Sequence, residues 1–93
     1  MGKYLVNFSE SALKELAKHK KAGNKAINIK IDKIFNELKE TPYTGEGHPE
    51  ALKHSLTGLW SRRINREHRI IYSVDENIVT VYVVSAMGHY NNK

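Results

Sequence analysis

The sequence predicts an α+β domain: two helices from the first half of the chain on an antiparallel sheet, in the order β-α-α-β-β-β. Three observations predict it. The apolar residues of the first half recur at helical spacing, those of the second half form short β-leaning runs, and a Thr-Pro-rich loop parts the two regions. Lys3–Phe8 is a short strand-like run. Ser9 has the chemistry of a helix N-cap, with Glu10 in the first turn. Ala12, Leu13, Leu16 and Ala17 make the first helical stripe, the basic cluster His19, Lys20, Lys21 lies near its end, and Gly23 can close it. A second helix is expected from about Asn24 to Lys39. Its apolar positions Ile27, Ile31, Ile34 and Leu38 are offset by four, three and four, and Ile29 and Phe35 widen that face or meet a partner. Thr41–Gly47 is a loop that Pro42 enforces. Leu59–Asn65, His68–Val74 and Ile78–Ser85 then read as three strands. Their joints at Asn65–Glu67 and Asp75–Asn77 are short enough for hairpins, which makes a meander.

Ninety-three residues suffice for one domain, 1–93, and not for two. With 40% apolar and 27% charged residues the composition is globular rather than disordered. Fifteen basic against ten acidic residues give a charge of +5, which favours a polyanion: nucleic acid, an anionic membrane or an acidic protein. The absence of cysteine excludes a disulfide framework and a cysteine-based zinc site. The most hydrophobic segment, Ile78–Val84, is too short to span a bilayer, and no signal peptide is visible, so a cytoplasmic protein without a membrane is the expectation.

Chemistry concentrates in the second half. Arg62, Arg63, Arg66 and Arg69 lie close together beside Trp60 and Tyr72. Neighbouring strand residues face opposite ways, so Arg62 and Arg63 cannot share a face, and Arg69 from the next strand lies beside one of them. Two guanidinium groups on one side of a hairpin suit a phosphate between them. The plainer reading leaves these arginines solvated or paired with Glu46, Glu50 and Glu67. Trp60 and Tyr72 read first as core or interface residues. Tyr90 is left between stacking on a base and capping the core. His48 and His54 read as surface residues, and no histidine pair has a zinc spacing, so no metal is expected.

A base, an anion clamp and an acid would come together if Glu50, Arg69 and His89 converge. Those are the parts needed to cleave RNA through its own 2′-hydroxyl without a metal or other cofactor.

The order of these residues closely resembles the central signature of the YoeB/Txe branch of the RelE-like toxins. The matching string is Gly45-x-Gly47-x-Pro49-Glu50-x-Leu52-Lys53-His54-x-Leu56-x-Gly58-x-Trp60-Ser61-Arg62-Arg63-Ile64, then Glu67-His68-Arg69-Ile70-x-Tyr72, and finally His89-Tyr90. The resemblance implies a RelE-like microbial ribonuclease fold, two helices on a curved antiparallel sheet. It implies the toxin of a type II toxin–antitoxin system, an endoribonuclease that cuts mRNA in the ribosomal A site and is neutralised by a cognate antitoxin. It makes Glu50 the general base, Arg69 the group stabilising the phosphorane and His89 the general acid. Lys53, Arg63 and Tyr90 become helpers in binding the RNA. The basic surface around Arg63 and Arg69 suits an acidic, partly disordered antitoxin segment. Homodimer formation is a further expectation, which nothing in the periodicity demands. The sequence departs from the family in carrying Asn91-Asn92-Lys93 after the His-Tyr pair, and Ala86-Met87-Gly88 where several members have a basic residue. The alternative function is a non-catalytic basic toxin that binds another target such as DNA gyrase, as ParE-type relatives of the fold are thought to do. A degenerate toxin kept as an antitoxin partner is a third, and the intact triad argues against it.

Overall fold

A computed structural model describes residues 3–88, so the expectations placed on His89 and Tyr90 lie outside the described residues. The elements are β1 (Leu5–Phe8), α1 (Glu10–Ala22), α2 (Lys25–Leu38), β2 (Glu50–Ala51), a 3-10 turn at His54–Leu56, β3 (Trp60–Arg63), β4 (Arg69–Asp75) and β5 (Thr80–Ser85). Both helices begin as the sequence predicts. Ser9 Oγ accepts from the Ala12 amide, and Asn24 Oδ1 accepts from the Ile27 amide. Gly23 ends α1 in the left-handed conformation at φ 73°. The two hairpin turns are closed by Asx contacts. Asn65 Oδ1 accepts from the amides of Glu67 and His68, and Asp75 Oδ1 from those of Asn77 and Ile78.

The five strands form one sheet in the order β1-β5-β4-β3-β2. From β5 to β2 it is antiparallel, as expected. The expectation of a wholly antiparallel sheet is corrected at β1, which lies parallel to β5 with Leu5 opposite Thr80 and Phe8 opposite Val83. The meander leaves β5 with a free edge, and the helical hairpin supplies the crossover that a parallel partner needs. A second correction is β2, a two-residue edge strand in what reads as loop. Glu50 and Ala51 have too little apolar patterning to announce a strand, and the open edge of β3 pairs them.

The core lies between helices and sheet. Ile31, Ile34 and Leu38 of α2 are buried with Ile70, Tyr72, Val81 and Val83 of the sheet. Phe35 meets Phe8 edge-on at 5.2 Å. Ile29 stays 61% exposed and does not widen the buried face, and Leu13 is also exposed. Among the described residues no helix is long and apolar enough to cross a membrane.

Candidate functional site

Strand register decides which side chains share a face. Glu50 lies opposite Ser61, Ser61 is two residues from Arg63, and Arg63 lies opposite Arg69. Opposed residues and residues two apart point the same way, so Glu50, Ser61, Arg63 and Arg69 occupy one face. Trp60, Arg62, Ile70 and Tyr72 occupy the other, where Arg62 meets Glu37 of α2. The arginine that Arg69 joins is therefore Arg63.

Arg62 is fully buried and takes no part in that face. Its Nη1 donates to Glu37 Oε1 at 2.7 Å and its Nε to the Tyr72 hydroxyl at 3.2 Å. Its Nη2 donates to the carbonyls of Thr41 and Thr44 at 2.6 and 2.8 Å. The Tyr72 hydroxyl donates in turn to the Pro42 carbonyl at 2.7 Å, and Glu37 Oε1 also accepts from the Glu46 amide. This hub pins the loop that leads to Glu50. Burial pushes the Tyr72 hydroxyl above its ordinary pKa, partly opposed by Arg62. The next contact along the chain is the Gly47 carbonyl, which accepts from the Arg63 amide at 2.7 Å.

The exposed face is held more loosely. Arg69 Nη1 lies 3.9 Å from Glu50 Oε1 and 3.5 Å from Ser61 Oγ, at or beyond the limit of a good hydrogen bond. The Glu50 side chain is 55% exposed and that of Arg69 25%. Among the described residues, a carboxylate and a guanidinium thus lie together with most of their hydrogen-bonding capacity unspent. Arg63 is exposed, and among the described residues no carboxylate pairs with it. Glu46 is engaged elsewhere, by Lys33 at 3.1 Å and Lys30 at 3.4 Å. The Lys33 hydrogen bond, helped by Lys30, holds its carboxyl below the usual range. The plainer reading holds in part: Arg63 and Arg66 are exposed and Arg69 lies loosely beside Glu50, but Glu46 is taken by lysines and Arg62 pairs with Glu37. A groove of about 370 Å³ beside this face is lined by Lys30, His48, Arg63 and Arg66, among others. Lys53 is exposed three residues past Glu50, where the chain enters the 3-10 turn.

Sequence reasoning missed Ser61, whose two-residue spacing from Arg63 was the available signal. It also missed His19, which reads as part of the basic cluster near the end of the first helix and is 3% exposed. Its Nε2 lies 2.7 Å from the Ala86 carbonyl, an acceptor 67 residues away that no local pattern announces. His48 and His54 are exposed, as expected. Among the described residues no cluster of three or more metal-ligating side chains occurs.

Comparison with known proteins agrees with this fold. A family model described as the YoeB-like toxin of bacterial type II toxin–antitoxin systems matches residues 8–90. The chain is 40% identical over 67 residues to toxin YoeB of Escherichia coli K12, covering 72% of this chain and 77% of that one. It is 35% identical over 85 residues to toxin YoeB of Mycobacterium bovis, covering 91% and 96%. Among solved structures, a YoeB/ParE toxin from Agrobacterium tumefaciens superposes with a TM-score of 0.82 at 30% identity, over 92% of this chain and 99% of that one. A YoeB dimer from Staphylococcus aureus gives 0.78 at 34% identity, over 95% and 99%. By sequence and by fold, the chain belongs to the YoeB-like toxins of bacterial type II toxin–antitoxin systems.

Proposed function

We propose that this toxin is an endoribonuclease that cleaves mRNA engaged by the ribosome. The observation that carries the reading is the loose Glu50–Arg69 pair, 3.9 Å apart on an exposed face, with Arg63 directly across from Arg69. Glu50 takes the proton of a ribose 2′-hydroxyl as general base. The 2′-oxygen attacks the adjacent phosphorus, and Arg69 and Arg63 stabilise the negative charge of the phosphorane. The bond from phosphorus to the 5′-oxygen breaks, and His89 protonates that oxygen as general acid. The products are a 2′,3′-cyclic phosphate and a 5′-hydroxyl. Support for His89 comes from its neighbour in sequence: the Gly88 carbonyl accepts from the Arg69 amide at 2.8 Å. Lys53 and Tyr90 help to bind and orient the RNA. The chemistry takes no metal or other cofactor. The exposure of Glu50 and Arg69 favours a site completed by RNA held in place, the service a ribosome renders by orienting the strand.

The partners follow from relatives. A YoeB–YefM heterotetramer and a YoeB dimer are known from Staphylococcus aureus, at 35% and 34% identity. This chain accordingly takes a cognate acidic antitoxin over the Arg63–Arg69 face, and self-associates. It acts where messages are translated, in the cytoplasm.

Expression from a repressed promoter with mapping of mRNA 5′ ends tests the reading. Wild-type protein should create new ends inside translated codons, and Glu50→Ala, Arg69→Ala and His89→Ala should each reduce them by about 100-fold or more, leaving a slow residual cleavage. Growth arrest with intact messages would instead point to binding of another target such as DNA gyrase.

A further inference from the structure

The segment after β5 is held by three side chains and by one backbone hydrogen bond from the first residue of β4. The Ala86 amide donates to Glu15 Oε1 at 2.7 Å, and the Ala86 carbonyl accepts from His19 Nε2 at 2.7 Å. The Gly88 amide donates to His68 Nδ1 at 2.9 Å, while the Gly88 carbonyl accepts from the Arg69 amide. Chain segments that leave a sheet ordinarily fray. Here the backbone polar groups of Ala86 and Gly88 are all met, by α1 and by the head of β4.

The hydrogen bonds fix the tautomers. A carbonyl only accepts, so His19 carries its proton on Nε2. His68 Nδ1 accepts, so it bears no proton, and the hydrogen of the neutral ring is on Nε2. The two rings meet edge to face, centroids 4.8 Å apart at 80°. His19 is thereby a buried support for His68. Gly88 itself has φ 74°, so the chain changes direction at the residue that His68 holds.

We propose that His68, backed by His19, is a positioning residue. It clamps Gly88 against the backbone of Arg69 and so sets where the chain delivers its next residue, His89. This rests on the reading of His89 as general acid. His68 touches no substrate; it acts through the peptide group it grips. A small misplacement of a reacting group is costly in rate, which gives such a clamp its effect.

Two substitutions separate acceptor from bulk. His68→Asn keeps an oxygen near the place of Nδ1, and His68→Leu keeps volume without an acceptor. Single-turnover cleavage of mRNA on programmed ribosomes should slow at least about tenfold in His68→Leu, with half-saturation unchanged. His68→Asn should stay close to wild type. In a His89→Ala background, His68→Leu should cost nothing further, because the two act on one step. Equal losses in Asn and Leu, or a His68→Leu loss undiminished by His89→Ala, would overturn the proposal. Amide exchange of Gly88, followed by NMR, tests the clamp apart from catalysis. It should be slow in wild type and His68→Asn and fast in His68→Leu, with β4 and β5 amides unchanged; a Gly88 rate unaffected by Leu also overturns it. If wild type cleaves nothing, or His89→Ala cleaves as fast, the acid assignment fails and the consequence drawn for His68 goes with it. Gly88 exchange then still decides whether the clamp exists.

Discussion

Arg63 and Arg69 stand directly opposite each other on β3 and β4, two cations on one face, with Glu50 the one carboxylate paired there, loosely, among the described residues. Like charges so placed repel, and the fold gains nothing from them. The proposed function gives them a use, an anion held between them. Arg63→Gln should therefore leave stability unchanged or raise it by about a few tenths of a kcal/mol, given solvent screening. Binding to a single-stranded RNA oligonucleotide should weaken uniformly across sequences, and the salt slope of affinity should fall by about 1. Thermal melts at low salt and a salt titration of binding check both. A clear loss of stability with undiminished binding would mean that Arg63 is structural.

Arg62 is the contrasting case, one residue away. It is buried, and its guanidinium meets Glu37, Tyr72 and two loop carbonyls. Removing one partner from such a network leaves the others unsatisfied, at a cost of about 3–5 kcal/mol when the pair is buried. Glu37 retains 27% side-chain exposure, which places Arg62→Ala near the lower end, about 3 kcal/mol. Urea unfolding of Arg62→Ala beside Arg63→Ala would show it. The two midpoints should differ widely although the residues are identical and adjacent. Coincident midpoints would refute the division of roles.

That pair also marks what was legible in the sequence. Period-two alternation dictates that Arg62 and Arg63 part company. It does not say which goes inward, because a buried arginine is decided by Glu37, a residue 25 positions earlier on another element. The helices were legible because their signals are local: the Ser9 cap, and the stripe of Ile31 with Ile34 and Leu38. The parallel docking of β1 on β5 was not, since nothing in Leu5–Phe8 names its partner. Glu50, Arg63 and Arg69 were picked out by resemblance, and the sheet register brings them to one face. Ser61 carries only its two-residue spacing from Arg63, and the His19–His68 pair carries no local mark, since its contacts, like the Ala86 carbonyl at His19, are long-range.

Gly47 tests how the edge strand is delivered to β3. It adopts φ 82°, and a Cβ there would lie 2.6 Å from the Arg63 carbonyl oxygen, a backbone atom that cannot swing away. Gly47→Ala therefore meets both left-handed strain and a clash, together about 1–3 kcal/mol. The strain falls three residues before Glu50, so RNA cleavage should drop by more than the stability loss alone produces under conditions where the variant stays folded. A denaturation curve paired with a cleavage assay measures both. A variant as stable as wild type would show that the loop can move off β3.

Glu76, in the turn between β4 and β5, accepts from the hydroxyls of Tyr4, at 2.9 Å, and Tyr43. Tyr43 also leans on Trp60 with ring centroids 5.0 Å apart, so the carboxylate fastens the loop before Glu50 to the far end of the sheet. The Tyr43 hydrogen bond, then that of Tyr4, holds the Glu76 carboxyl below its ordinary 4.5. The same bond raises Tyr43 from 10.0 to about 12. The signs are opposite, and together they bound the pH window in which these bonds stabilise the fold. A depressed carboxylate stabilises the fold above its unfolded pKa, and the effect is lost as pH falls through the folded value. A raised tyrosine stabilises below its unfolded pKa, and that is lost as pH climbs towards about 12. The melting temperature of wild type should exceed that of Glu76→Ala most across the neutral range. The gap should narrow in acid below the usual carboxylate range and again in alkali above the usual tyrosine value. A gap independent of pH would show that Glu76 acts through packing or turn geometry and not through the two hydroxyls.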